Sequence, residues 1–421
     1  MIGFHLHNHT AEFVLGKTVC AFPRTIYDNW QSVKMLPGKL LHWLSWSGHQ
    51  FGNRDGVGQK ALGYAQTTPP NDVLQQKNFA AWIPSEKSQL KVGKAPFPKC
   101  GEDELIIKNH VVAVNPVDWK IQSWAGFNLT YPTILGEDVA GEVVEVGSKL
   151  KDKFEVGQRV MAYTLGLGKG SAYGGFQLYP VLTAATTSLI PDEISFADAV
   201  VLPLSISTAA AGLFMNDTLG LNYPNLDPSF PRSFARSKNN PTLLVWGGSS
   251  SVGSSVIQLA FAAGYSVVTT SSPSHYQYCK NLGAAHVLDY HNPDVVSNLI
   301  SLLKGKKIVG SYDAIGSDET VRQSAAVLHA LGGGKIASVG SAPEDLPKDV
   351  TVARMSAGNI VTKEPEVANR IWGEYVLAAL KSGQLVPSPK PLVVGNGLEV
   401  VQNGLDRQKQ GVNARKVEIV L

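Results

Sequence analysis

Trp246-Gly247-Gly248-Ser249-Ser250-Ser251-Val252-Gly253 is the stretch on which the reading of this chain turns. Ahead of it, Thr242–Trp246 (TLLVW) is an uncharged, mostly apolar run, as a buried strand would be. Behind it, Val252, Val256, Leu259, Ala260 and Ala263 recur at helical spacing and share one face of a helix over Ser251–Ala263. Tyr265–Thr270 then reads as the next strand. Small residues in such a turn let the backbone approach a pyrophosphate. The helix N-terminus adds free N–H groups and the positive end of its dipole. The strand–turn–helix–strand context makes Gly248, Ser249, Ser250, Ser251, Val252 and Gly253 candidate dinucleotide-binding residues. A turn serving structure alone is the other reading.

Working outward, the alternation continues. His286–Leu288, Ile308–Ala314 and Lys335–Val339 are strand-like, and a helix over Asp318–Leu331 is stopped by Gly332–Gly334. Strands alternating with helices predict a parallel, doubly wound sheet, an α/β fold. Upstream, Leu105–Ile107, Val111–Val114, Val139–Gly147 and Phe154–Ala162 are short strand signals that predict a separate β-rich domain. Ser195–Leu213 is Ala-rich and helical, and Asp217–Pro241 reads as a long loop. A helix at Ile371–Lys381 and a strand at Lys416–Leu421 end the chain. Residues 1–76 differ. They carry five of the ten His and three of the eight Trp, hold no period for long, and include the breaker Thr67–Asp72, so little packed structure is expected. His5, His7 and His9 would share one face of a strand and could hold a metal; a solvated His-rich terminus is the alternative.

Composition narrows the classes. Of 421 residues, 17% are charged, below the roughly 25% of an average soluble domain. The net charge of +3 gives no reason to expect a nucleic-acid or membrane-surface partner. Cys20, Cys100 and Cys279 are too few and too widely spaced for a disulfide framework, a CxxC redox motif or an all-Cys zinc site. The N-terminal residues lack the order of a secretory signal, and no apolar stretch reaches the roughly 18 residues that span a bilayer, so a soluble cytoplasmic protein is expected. An NAD site places an acid about 20 residues past the turn, at the end of the second strand. Here that end reads Thr269-Thr270-Ser271-Ser272-Pro273. Without an acid, and with Ser271, Ser272 and His275 as donors to a 2′-phosphate, NADP (NADPH) is favoured over NAD.

Several further stretches carry a family resemblance. They are Asn115-Pro116-Val117-Asp118-Trp119-Lys120, Tyr131-Pro132, Leu135 through Gly141 (LGEDVAG), Val156–Val160, Gly174-Gly175-Phe176 and Leu202–Leu213. The Gly247–Gly253 turn, Leu282-Gly283-Ala284, Asp289-Tyr290 and Tyr312–Gly316 follow in order. Over Asn78–Leu421 the chain resembles the medium-chain dehydrogenase/reductase superfamily, and most of all its zinc-independent quinone oxidoreductases and fungal trans-acting enoyl reductases. The resemblance implies a GroES-like catalytic domain over 77–200 with 365–421 and a Rossmann NADP-binding domain over 201–364. Residues 1–76 would be a disordered extension or a mistaken start of the gene. Where zinc-dependent relatives carry Cys, His and Cys ligands, this chain has Asn115, Glu137 and Leu204, a set that suits no zinc ion. Ser250 replaces the central Gly of the usual turn and is expected to leave its N–H facing phosphate.

The resemblance also implies roles. Asn115 would lie near the nicotinamide or the substrate oxygen, Lys120 would polarise that oxygen or bind a phosphate, Tyr131 would be a proton donor and Thr208 would orient the nicotinamide or the substrate. Each has a plainer alternative: a strand-end turn, a surface charge, packing before proline, helix packing. Tyr290 joins Ser272 and His275 around the ribose phosphate. Ile315, Gly316, Val339 and Gly340 lie at strand ends by the cofactor, and Val412 and Asn413 close over the nicotinamide. Glu137 and Asp138 are expected to bond to backbone or to Arg159. The implied activity is NADPH-dependent, zinc-independent reduction of an activated double bond in a quinone, an enone or an enoyl thioester, the substrate being a small molecule or a carrier-bound acyl chain and the enzyme a monomer or homodimer. An NADPH-binding regulatory module with little turnover, and a zinc alcohol dehydrogenase, are the rival readings.

Overall fold

A computed structural model of the chain describes residues 77–124, 127–226 and 240–421, and the backbone of four short strands before them. Contacts divide the chain into two units, Met1–Val73 and Leu74–Leu421. In the first, β1 (Ile2–Leu6), β2 (Thr10–Leu15) and β3 (Thr18–Pro23) form an antiparallel meander, with Phe4 paired to Phe13 and Phe13 to Cys20, and β4 (Gly52–Asn53) joins β3. Regular structure was not expected here. β1, β2 and β3 are short but carry β-branched and aromatic residues, which favour strand pairing. Of the three alternating histidines, His5 lies in β1, and His7 and His9 fall outside the described residues.

The second unit holds both expected sheets. The parallel one contains β13 (Thr242–Trp246), β14 (Ser266–Ser271), β15 (Ala284–Asp289), β16 (Ile308–Asp313), β17 (Gly334–Ser338) and β18 (Val350–Arg354). Its order, β15-β14-β13-β16-β17-β18, reverses direction between β13 and β16. In open parallel sheets ligands bind at such a switch point, beyond the carboxyl ends of the strands. Leu243, Leu244 and Val245 are buried on both faces, so β13 reads as a continuous apolar run without alternation. The edge strand β18 escaped the sequence reading because its Val-Thr-Val-Ala-Arg run, of which only Val350 is buried, gives little apolar signal.

The β-rich sheet is built on β7 (Glu104–Val114), β9 (Asp138–Val146) and β10 (Arg159–Tyr163). β7 is one strand where the sequence suggested two short ones. Its register shifts at Ile106/Ile107 and at Asn109/Val111, and those irregularities break the apolar pattern. Near the C-terminus, β20 (Arg415–Val420) returns to pair with β7, with Val417 opposite Val114, and β19 (Lys390–Asn396) lies outside it. The chain thus leaves this sheet, builds the parallel sheet, and comes back.

One buried cluster joins the two. It takes Val111, Ala113, Ala140 and Met161 from the β-rich sheet and Leu243, Val245 and Val256 from the parallel part. The helix at its centre is split. Phe196–Val200 ends before Pro203, which opens the second helix, Pro203–Phe214, at a position where its missing N–H costs nothing. The whole helical stretch Phe196–Phe214 is 19 residues and apolar enough to cross a bilayer, longer than the sequence reading allowed. Ten of the twelve residues of Pro203–Phe214 are buried inside the protein, so this is a core helix.

Candidate functional site

The Gly-rich turn is held as a phosphate cradle requires. Gly247 has φ +83°, and a side chain on Gly248 would collide with Thr269, one on Gly253 with the Gly247 carbonyl. Ser250 caps the following helix: its Oγ accepts from the Gly253 N–H at 3.0 Å. Its own N–H donates to the Gly247 carbonyl at 3.0 Å, so it does not face a phosphate as expected. The turn closes on itself, and the first N–H groups of the helix, those of Ser251 and Val252, take over as the free donors. Ser251 Oγ is buried and has no partner among the described residues. An orphaned hydroxyl beside open helical N–H groups fits an anionic dinucleotide backbone.

The other cofactor candidates gather at the strand ends. Asp313, fully buried at the end of β16, accepts the N–H groups of Ile315 at 3.0 Å and Gly316 at 3.1 Å and the Thr320 hydroxyl at 2.8 Å. Burial raises its carboxyl above the usual range against those bonds. Gly316, with φ +75°, packs against Gly340 so closely that a side chain on either would strike the other's backbone. Ile315 is left 46% exposed, an apolar wall at the switch point. At the end of β14 the serines part company. Ser271 is fully buried and its hydroxyl donates to the Ser272 carbonyl at 3.1 Å, so it turns away from the surface. Ser272 remains outside and donates to the Tyr290 hydroxyl at 3.3 Å. His275 and Asn413, given separate roles by the sequence reading, meet: Nε2 and Oδ1 are 2.6 Å apart and link the turn after β14 to the C-terminal segment. Val412 packs on the core of the β-rich domain.

Of the four catalytic candidates, Asn115 is the most tightly held. It sits between β7 and the helix Pro116–Trp124, 4% exposed. Its Nδ2 donates to Asp138 Oδ2 at 2.7 Å, and its Oδ1 accepts from Lys416 Nζ at 2.5 Å. Lys416 also reaches Asp138 Oδ2 at 2.6 Å, both side chains being buried. Asp138 Oδ1 accepts the Leu204 N–H at 2.5 Å, which binds the start of the Pro203–Phe214 helix to this network. Asp118 accepts the N–H groups of Asn115 at 2.8 Å and Gly136 at 3.2 Å. Burial, with Asp138 nearby, lifts its carboxyl to about 7. Glu137 is buried with Oε1 unpartnered, and burial together with Asp118 and Asp138 pushes it well above the carboxylate range. Arg159 is not their partner. Its guanidinium donates to the carbonyls of Pro191, Asp192 and Ile194 and lies over Phe196, because β10 carries it to the opposite end of the sheet from Asp138's bonds. Glu418 is a further buried acid, lifted to about 9 by burial, with neither oxygen bonded among the described residues.

The remaining three are less enclosed. Thr208 and Leu204 are the half-exposed residues, one turn apart, of the otherwise buried Pro203–Phe214 helix. Thr208 Oγ1 donates back to the Leu204 carbonyl at 2.7 Å, and its own carbonyl accepts from Tyr312 at 2.7 Å. Lys120 Nζ lies 5.9 Å from the Trp119 ring centre and 5.5 Å from that of Trp124. Tyr131 is half-buried, its hydroxyl made less acidic by burial and by Glu86. Sequence reasoning missed Lys416, since a lone lysine in a terminal strand looks like a surface charge. A cavity of about 880 Å³, lined by Glu104, Phe154, Thr187 and Trp372 among others, contains none of the candidate residues.

Comparison with known proteins follows the same division. Residues 101–192 match the alcohol dehydrogenase GroES-like domain and residues 251–381 the zinc-binding dehydrogenase domain. The chain is 39% identical over 355 residues to dehydrogenase azaJ of Aspergillus niger, covering 82% of this chain and 99% of that protein. It is 38% identical over 344 residues to trans-enoyl reductase himH of Aspergillus japonicus, covering 81% and 97%. Among solved structures it resembles the CurK enoyl reductase with a TM-score of 0.63 at 19% identity, covering 82% and 99%.

Proposed function

The chain belongs to the medium-chain dehydrogenase/reductase superfamily, and on that premise we propose that it is a zinc-free, NADPH-dependent reductase of activated double bonds. The substrate would be an enone, a quinone or an enoyl thioester, the last free or carrier-bound. The observation that carries the reading is the network at the positions that zinc ligands hold in zinc-dependent relatives. Asn115 is locked by Asp138 and Lys416, and Leu204 offers an N–H to Asp138 and packs its apolar side chain against the core. Among the described residues no three His, Cys, Asp or Glu side chains are placed to hold a metal ion. A buried ammonium beside a neutral amide and an alkyl chain is a poor zinc donor set.

Reduction of a plain ketone needs a Lewis acid or a strong proton donor at oxygen. An activated alkene asks less, because its negative charge spreads to an enolate oxygen that hydrogen-bond donors stabilise. NADPH, when bound, supplies the hydride. The protein would contribute the cradle of Ser251 and Val252 N–H groups and the Ser251 hydroxyl for the diphosphate. Ser272 and Tyr290 would take the 2′-phosphate; β14 itself ends without an acid, and Asp289, beside Tyr290, is engaged by His291. Ile315 would pack on the nicotinamide side and Thr208 would orient substrate or carboxamide. The test is a panel of enones, quinones, enoyl thioesters and simple alcohols with NADPH, NADH, NADP or NAD, on protein assayed for zinc. NADPH oxidation with an activated alkene in metal-free protein is expected. Zinc at one equivalent with alcohol oxidation would overturn the proposal, and tight NADPH binding with no turnover on any substrate would favour a regulatory module.

A further inference from the structure

We infer that Glu137 is the acid of this reaction, delivering the proton that completes reduction of the double bond. The inference rests on the proposed function above. It starts from three buried carboxyls around one ammonium. Asp138 has that ammonium, Lys416, at 2.6 Å and also takes the Asn115 amide and the Leu204 N–H. Asp118 takes two backbone N–H groups. Glu137, 4% exposed, has no hydrogen-bond donor on Oε1. A single cation offsets a single anion, and a buried carboxylate without donors is far costlier than a buried neutral acid. The proton therefore stays on Glu137. The charged and titratable groups facing it are Asp118 from the Pro116–Trp124 helix, Asp138 beside it, Lys416 from β20 and the buried Tyr163 from β10. Burial, Asp118 and Asp138 disfavour its ionisation, Lys416 favours it, and Tyr163 stays neutral.

Its place in the chain suits the role. Glu137 lies between Gly136, whose N–H is pinned by Asp118, and Asp138, which grips the Pro203–Phe214 helix at Leu204, one turn from Thr208. Tyr131, the donor suggested by resemblance, is a hydroxyl made weaker by its surroundings, whereas Glu137 is an acid whose proton is kept available at neutral pH. The step balances. After hydride reaches the β-carbon, the enolate electron pair forms the α-carbon–hydrogen bond with the Glu137 proton. The electrons of the broken O–H bond stay on the carboxylate, which regains a proton from water.

Two readouts test this on the full chain. In infrared difference spectra at pH 7 without cofactor, the unmodified protein should show a protonated-carboxyl carbonyl band that Glu137→Gln lacks. Asp118 and Glu418, also displaced upward, remain in both and cancel. With NADPH and the best alkene, Glu137→Gln should lose about 100-fold in turnover, the scale of a removed general acid, while NADPH affinity is kept. Should Glu137→Gln fail to fold, Glu137→Asp keeps the test alive: it should keep an acid band at shifted frequency and lose rate. No band change at pH 7, or turnover by Glu137→Gln within about threefold of the unmodified protein, would overturn the inference and leave the proposed function standing. If the unmodified protein reduces no activated alkene while the band is present, the proposed function has failed and the inferred role falls with it.

Discussion

Replacing Lys416 by Met is the most direct test of the buried network. Met keeps most of the aliphatic stem and removes the ammonium, so packing changes little and charge changes fully. The residue is 3% exposed, and its Nζ lies 2.6 Å from Asp138 Oδ2 and 2.5 Å from Asn115 Oδ1. Removing one partner of a buried pair strands the other, at a cost of about 3–5 kcal/mol. The stranded carboxyl has an escape, which is to take up a proton on folding. That limits the loss at pH 7 to about 4 kcal/mol, the three-unit gap between pH 7 and an ordinary aspartate at about 1.4 kcal/mol per unit. The sign follows from proton counts. The folded variant then holds a proton that its unfolded chain has released, so the penalty grows with pH and shrinks as pH falls towards the unfolded value. At pH 5 the limit is only about 1.5 kcal/mol. Urea unfolding of both proteins at pH 7 and pH 5, followed by fluorescence and circular dichroism, gives the two differences. The double replacement Lys416→Met with Asp138→Leu removes the stranded group and should recover part of the loss, a non-additive result. A penalty below about 1 kcal/mol at pH 7, or one that does not shrink at pH 5, would refute the account, since an exposed pair behaves in the first way and lost packing in the second.

Three further outcomes are expected. Gly248→Ala should cost about 1–3 kcal/mol, because the new methyl strikes Thr269 in a packed turn, and should weaken NADPH binding measured by fluorescence titration. Ser272→Asp should raise the NADPH dissociation constant at least about tenfold, equivalent to about 1.4 kcal/mol, and leave NADH little changed, since only NADPH carries a 2′-phosphate. Glu418→Gln should stabilise the protein at pH 8 and matter little below pH 4: the native carboxyl, lifted to about 9, binds a proton that the unfolded chain has lost, so ionisation costs stability across that window, and thermal melts at both pH values check it.

Several parts of the fold are local properties of the chain. Thr242–Trp246, the Gly-rich turn and the helix that follows are each specified within a few residues, by apolar run, small residues and helical spacing, and their borders fell within a residue of the sequence reading. The ordered motifs around them carried the rest of the two-sheet architecture. What stayed hidden was weakly patterned, as in the edge strand β18, or broken by irregular pairing, as in β7. The helix predicted at Ile371–Lys381 is wound as a wide-turn π-helix over Asn369–Tyr375 and as an α-helix over Val376–Ser382, a distinction that residue spacing does not carry.

The site divides along the same line. The sequence alone determined that a Gly- and Ser-rich turn joins strand to helix at Gly247–Gly253, that no acid ends β14, and that an amide and an alkyl side chain stand at Asn115 and Leu204. Each of those is a statement about residue identity at a position. The tertiary structure decided which groups meet. Lys416 lies 301 residues from Asn115 in the chain and 2.5 Å from it in space, and His275 and Asn413 are 138 residues apart and in contact. It decided, too, that Ser271 turns inward while Ser272 stays outside, and that Asp138 rather than Glu137 receives the ammonium. Those outcomes depend on burial and on the distance between charges, which strand return and sheet pairing create, and no spacing along the chain encodes them.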